Sequence, residues 1–134
     1  MNFDALIEKA RAARARAYAP YSRFQVGAAL LGKSGQVFTG CNVENLSFGL
    51  TICAERAAAC AGIAGGETEF VAVAVIADSR EPVTPCGACR QVLVEFSTDM
   101  EVCSVNLQGV RYETTLSALL PRSKAGILDW DRST

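Results

Sequence analysis

The chain contains no histidine. That absence removes the Ser-His triad, the imidazole proton shuttle and the imidazole metal ligand, so any bound metal must be held by thiolates or carboxylates. Aromatic residues are also scarce, at 7% of the sequence, and 13 lysines and arginines face 14 aspartates and glutamates, a net charge of −1. A surface so balanced and so poor in stacking rings lacks the basic groove and aromatic platform of a nucleic-acid binder. Long apolar runs are missing as well. The longest, residues 70–77, is far below the roughly 20 residues that span a bilayer. Met1 to Tyr18 is charged at every turn and has no apolar core of a signal peptide. The expectations are no membrane, no nucleic acid, a cytoplasmic location and cysteines that stay reduced.

What is present suits one packed domain. The sequence has 134 residues, half of them hydrophobic, enough to bury a core without disulfide staples. One domain over 1–134 is expected, with 122–134 as a C-terminal tail. Phe3, Leu6, Ile7, Ala10, Ala13 and Ala17 recur at helical spacing. Phe24–Leu31 and Gln36–Val43 read as strands of a hairpin around Gly32-Lys33-Ser34-Gly35. Cys53–Ile63 is alanine-rich and ends at Gly65-Gly66, a helix and its stop. Phe70–Ala77 is apolar on both faces and belongs mid-sheet, under helices on both sides. Thr84-Pro85 is predicted to open a further helix, with the proline in its first turn and Val92, Leu93 and Phe96 behind it. Two strands, Glu101–Leu107 and Val110–Thr114, follow around Gln108-Gly109, then a short helix, Leu116–Leu120. The fold class is α/β, a single mixed sheet of about five strands sandwiched between helices.

The chemistry concentrates at the predicted starts of two helices, Cys53-Ala54-Glu55 and Pro85-Cys86-Gly87-Ala88-Cys89. Cys86 and Cys89 stand one helical turn apart and can grip one ion together, with Cys53 coming from the other helix. Side chains lean toward a helix N-terminus, so first-turn residues surround an object lying beyond that end, and Glu55 faces it too. Three thiolates on zinc leave a net negative centre and a weak Lewis acid. The two helix N-termini offset part of that charge, and Arg56 and Arg90, one after each motif, are placed to donate to sulfur. An ordinary surface ion pair is the competing account of both arginines. Three protein ligands leave a position open for water, as in catalytic zinc sites, unless Cys41, Cys60 or Cys103 closes the shell. Cys60 and Cys103 sit in apolar stretches and read as small core residues. A thioredoxin-like use of Cys-x-x-Cys leaves Cys53 and Glu55 without a purpose.

These residues resemble the signature of the small homotetrameric, zinc-dependent cytidine deaminases, Cys-Ala-Glu followed by Pro-Cys-x-x-Cys. Ala17-Tyr18-Ala19-Pro20-Tyr21-Ser22 with Phe24 and Val26-Gly27-Ala28-Ala29-Leu30 is similar to that family's N-terminal block, and Gly40-Cys41-Asn42-Val43-Glu44-Asn45 to its ribose-binding block. The resemblance implies one zinc per chain on Cys53, Cys86 and Cys89. It also implies that Glu55 moves protons between water, ring N3 and the departing amine while C4 of cytosine is attacked. It assigns Asn42 and Glu44 to the ribose hydroxyls, Phe24 to the flank of the nucleoside, and backbone groups of Ala54 and Cys86 to the base. Without it, Asn42 and Glu44 read as a turn-capping pair and Phe24 as plain core. The implied function is hydrolysis of cytidine, and of 2′-deoxycytidine, to the uracil nucleoside and ammonia in pyrimidine salvage. The implied assembly is a homotetramer with active sites at subunit interfaces.

Three other readings compete: deamination of a modified cytosine nucleoside, editing of nucleic acid, and a structural zinc module without catalysis. Balanced charge argues against the second and Glu55 against the third. One departure stands out. The family's Leu-Leu-Pro is followed, three residues on, by a phenylalanine that reaches a neighbouring site, and here that position is Lys124. Ile127, Leu128 or Trp130 is expected to take its place, unless the tail packs locally.

Overall fold

The computed structural model describes residues 1–124. Helix α1 (Asp4–Arg14) leads into β1 (Val26–Gly32) and β2 (Val37–Cys41), and after a single 3-10 turn at Phe48–Leu50 comes α2 (Ala54–Ala64). Then follow β3 (Phe70–Ala77), α3 (Gly87–Val94), β4 (Glu101–Asn106), β5 (Arg111–Thr115) and α4 (Leu116–Leu119). The strands form one sheet in the order β2-β1-β3-β4-β5. Only β3 and β4 run parallel, and every other pair is antiparallel. This is the expected mixed five-stranded sheet between helical layers.

Alternation along the strands sorts side chains into two cores. Ala29, Ala72, Ala74, Ile76, Cys103 and Val105 meet Phe3, Leu6, Ile7 and Ala10 of the first helical segment. On the other face Ala28, Leu30, Val73, Val75 and Val102 meet Ala54, Ala58, Leu93 and Leu116 from the remaining helices. Each fully buried large apolar side chain contributes roughly 1.5–3 kcal/mol, so both layers are firmly held. Strand β3 lies in the centre of the sheet, and its apolar character on both faces follows from that place. Two glycines let helices approach closely. A Cβ on Gly27 would lie 2.0 Å from the Ala10 carbonyl oxygen of α1, and one on Gly40 would lie 2.4 Å from the Ala58 nitrogen of α2.

Several boundaries differ from the sequence reading. Strand β1 starts at Val26 and not at Phe24, because Arg23 has φ 62°, a left-handed turn ahead of the ladder. Strand β2 ends at Cys41, since the Asn42 side chain leaves the ladder to bond β1, accepting from Val26 N at 2.8 Å and donating to the Phe24 carbonyl at 2.8 Å. Ala17 lies beyond α1, which ends at Arg14. Pro85 precedes α3 and does not sit in its first turn, because Cys86 takes the N-cap position. Strand β5 is shifted by one residue, to Arg111–Thr115. Cys103 is buried as expected, but Cys60 is exposed, on the side of α2 turned away from the sheet.

Candidate active site

Helices α2 and α3 begin at cysteines. Cys53 is the N-cap of α2 (φ −74°, ψ 154°) and Cys86 that of α3 (φ −66°, ψ 167°), and neither makes a side-chain capping bond to its helix. Serine, threonine, aspartate or asparagine is the usual choice at this position, because an oxygen there accepts from first-turn N–H groups. Here the extended backbone of each cap swings a thiol outward instead. Cys89, in the first turn of α3, adds a third. The three sulfurs lie within 4.8 Å of one another. Tetrahedral zinc with bonds of about 2.3 Å needs sulfurs roughly 3.8 Å apart, so the triad fits zinc with only small side-chain adjustment, and three donors leave a fourth position open.

The electrostatics favour an anionic cluster. Cys53 accepts from the Cys89 thiol, its strongest stabilisation, and from Arg56, which brings its pKa down to about 5. Arg56 Nη2 donates to Cys53 Sγ at 3.2 Å. Cys89 is pushed up, first by donating to Cys53 and then by burial. A divalent cation would displace the proton that Cys89 donates to Cys53. Glu55 is 5% exposed. Burial, the largest cause, and the nearby Cys53 thiolate raise its carboxyl to about 7 against the opposing pull of its own backbone N–H and of Arg56.

An open cavity of about 240 Å³ lies over these groups, lined by Phe24, Val26, Asn42, Thr51, Cys53, Ala54, Glu55, Val75, Val83, Thr84 and Cys86. The fold therefore brings Phe24, Asn42, Ala54 and Glu55 together with two of the three cysteines, and Cys89 stands behind them. Glu44 is placed differently. Its carboxylate accepts from Tyr21 N at 3.0 Å, from Ser22 N at 3.1 Å and from the Ser22 hydroxyl, which holds its pKa below the ordinary value. Arg90 does not reach sulfur. It donates to the Pro85 carbonyl at 2.7 Å, the Leu119 carbonyl at 2.9 Å and Thr84 Oγ1 at 3.1 Å, because its side chain folds back along α3 and finds two carbonyls and a hydroxyl before any sulfur. Cys41, Cys60 and Cys103 stand outside the triad. Lys124 lines another cavity, beside Val94, Ser97 and Leu116; Ile127, Leu128 and Trp130 lie outside the described residues.

Sequence reasoning missed Thr51 and Thr84 in the cavity wall. Each stands two positions before an N-cap cysteine, a signal legible once the cysteines are recognised as caps. Val26 and Val75 carry no local signal, since sheet pairing alone brings them there.

Residues 2–105 match the family model described as the cytidine and deoxycytidylate deaminase zinc-binding region. The chain belongs to this family. It is 54% identical over 122 residues to a cytidine deaminase of Halalkalibacterium halodurans, covering 90% of this chain and 92% of the relative. It is 48% identical to that of Sporosarcina psychrophila, with 90% of each covered. Among solved structures, cytidine deaminase from Burkholderia pseudomallei superimposes with a TM-score of 0.87 at 51% identity, covering 90% of this chain and 98% of that one. Membership explains why the two helix starts carry cysteines where oxygen caps are usual. The family's zinc-binding region includes both of these cysteine-bearing segments.

Proposed function

We propose that this chain hydrolyses cytidine, and 2′-deoxycytidine, to the corresponding uracil nucleoside and ammonia, with one zinc per chain held by Cys53, Cys86 and Cys89. The observation that carries this reading is the thiol triad within 4.8 Å beside a buried carboxylate that opens on the same cavity. Zinc, when bound, supplies a Lewis acid that makes water a nucleophile near neutral pH. The remaining work falls to the chain. Glu55, shielded from bulk water, takes the proton of the attacking water and passes it to ring N3. It then takes the second proton from the new C4 hydroxyl as that oxygen becomes the carbonyl, and gives it to the amine, whose bond to C4 breaks to release ammonia. Arg56 draws charge from Cys53 and keeps the centre electrophilic. Phe24, Val26, Val75 and Val83 form the apolar part of the wall against which a pyrimidine ring packs, and Asn42 stands at the ribose end. Glu44 reaches the ribose hydroxyls once a hydroxyl donor competes for the carboxylate now bonded to Tyr21 and Ser22. A carboxylate there disfavours a phosphate.

Residues 1–134 are taken as one domain with 122–134 as its tail. Support for a homotetramer comes from the apolar side chains left exposed on the two stretches that lead in sequence to Phe24 and Thr51 of the cavity wall: Tyr18 and Tyr21, and Val43, Leu46, Phe48 and Leu50. A cytoplasmic role in pyrimidine salvage accords with a chain in which no helix of the described residues is long and apolar enough to cross a membrane. The deciding assay is the ultraviolet loss of cytidine absorbance with zinc-loaded protein, beside cytosine and cytidine monophosphate. Cytidine should turn over, and the base and the nucleotide should not. Equal rates on the monophosphate would overturn the free-nucleoside reading.

A further inference from the structure

Arg90 spends its guanidinium on three acceptors that belong to two different parts of the chain. Thr84 and Pro85 form the last stretch before the Cys86 cap, and Thr84 itself lines the cavity beside Cys86 and Glu55. Leu119 is the last residue of α4, just ahead of Leu120-Pro121, where the tail begins. The main chain of Arg90 is anchored as well, its N–H donating to the Cys86 carbonyl at 2.9 Å. Pro85 has no N–H to donate, so its carbonyl is its only backbone tie, and Arg90 takes it at the shortest of the three distances. A planar fork with donors at fixed angles holds such a trio in one geometry, which a flexible ammonium does not.

We propose that Arg90 is a positioning residue for the cavity: by tying Thr84 and Pro85 to Leu119 it fixes the Thr84 side of the wall against which the base packs and braces it on the end of α4. This rests on the deaminase reading above. The link acts on substrate binding and leaves the metal and the proton transfers to Cys53, Cys86, Cys89 and Glu55. A staple that served only the fold would lower the melting temperature and leave each correctly loaded site unchanged. A positioning residue changes the Michaelis constant of loaded sites.

The test compares Arg90→Met, Arg90→Lys and Thr84→Val with the parent, measuring zinc per chain, melting temperature, and kcat and KM for cytidine normalised to zinc. Arg90→Met should keep about one zinc per chain and raise KM roughly tenfold, the factor for one lost charge-assisted hydrogen bond, with kcat within about twofold. Arg90→Lys, which restores one donor, should fall between Met and parent. Thr84→Val, which removes one acceptor, should raise KM in the same direction by less. A zinc-normalised KM within twofold of the parent in Arg90→Met, or in Arg90→Lys and Thr84→Val where the Met variant does not fold, overturns the proposal. Loss of zinc in Arg90→Lys overturns it too, by moving the role to the metal. A parent protein that binds zinc but leaves cytidine intact overturns the deaminase reading itself, a distinct outcome.

Discussion

Gly40→Ala should disable the site more than the fold. The added Cβ would stand 2.4 Å from Ala58 N, 2.5 Å from the Ala54 carbonyl oxygen and 2.9 Å from the Ala57 carbonyl carbon. All three are backbone atoms of α2, so no side chain can turn away and the helix must retreat by about 1 Å to reach ordinary contact. Overpacking of this size costs about 1–3 kcal/mol of stability. The same helix carries Cys53 and Glu55 at its start, and a displacement of about 1 Å at reacting groups costs on the order of 100-fold in rate. Gly27→Ala is the matched control. Its Cβ would meet Ala10 O at 2.0 Å and Arg14 N at 2.6 Å, a clash at least as severe but against α1, which bears no site residue. Urea unfolding and zinc-normalised kcat/KM on both variants separate the effects: both should lose stability, and only Gly40→Ala should lose activity per folded, loaded molecule. Parent-like kcat/KM in Gly40→Ala, or an equal activity loss in Gly27→Ala, would refute the claim that glycine at position 40 sets the place of the catalytic helix.

Glu55→Gln should keep the fold and the zinc, measured by metal analysis, and lower kcat by about 100-fold to 10,000-fold. Activity within tenfold of the parent would remove its proton-transfer role. Arg56→Gln should lower turnover with zinc retained, because Cys53 then loses the donor at 3.2 Å; unchanged kcat would reduce that contact to a structural one. Burial, its main cause, raises Cys103 from 9.0 to about 11, so the folded state prefers the neutral thiol. Its contribution is complete below pH 9 and is lost as pH rises toward 11. Cys103→Ala should flatten that alkaline decline in urea midpoint, and an identical slope would show that another group causes it. Truncation after Pro121 should raise KM for cytidine with zinc content unchanged; an unaltered KM in the folded, shortened protein would exclude the tail as a cover.

Strand β3 was readable to the residue because a run apolar on both faces has one stable place, the middle of a covered sheet. The hairpin was readable through Gly35, whose φ of 94° suits glycine alone among ordinary residues. Strand ends were not, because Asn42 ends β2 through bonds to Phe24 and Val26, partners remote in sequence. The same limit hid the engagement of Glu44 with Tyr21 and Ser22 and the turn of Arg90 toward Leu119. Pro85 misled for a local reason: proline is equally at home just before a cap and just after it, and only the identity of the cap decides. Cys60 misled because an alanine-rich helix gives little contrast between its two faces. The triad itself was legible, since one turn of helix fixes the spacing of Cys86 and Cys89, and Cys53-Ala54-Glu55 at a second helix start, through its resemblance to the family signature, supplies the third sulfur.

The parallel pairing of β3 with β4 has a consequence for the order in which the molecule assembles. Cys53 precedes β3, whereas Cys86 and Cys89 lie in the connection that carries the chain from β3 to β4. The pair at 86 and 89 is local and exists as soon as α3 forms. The third sulfur arrives only when α2 and α3 have both docked on the same face of the sheet. Slow, non-local closure of a crossover is thereby made the gate for tight metal capture. A refolding chain offered zinc should hold it loosely through two thiols at first, and tight capture should mark the completed crossover with α2 docked beside it. Metal uptake followed by a chromophoric chelator is consequently a clock for tertiary folding, and one that runs without any substrate.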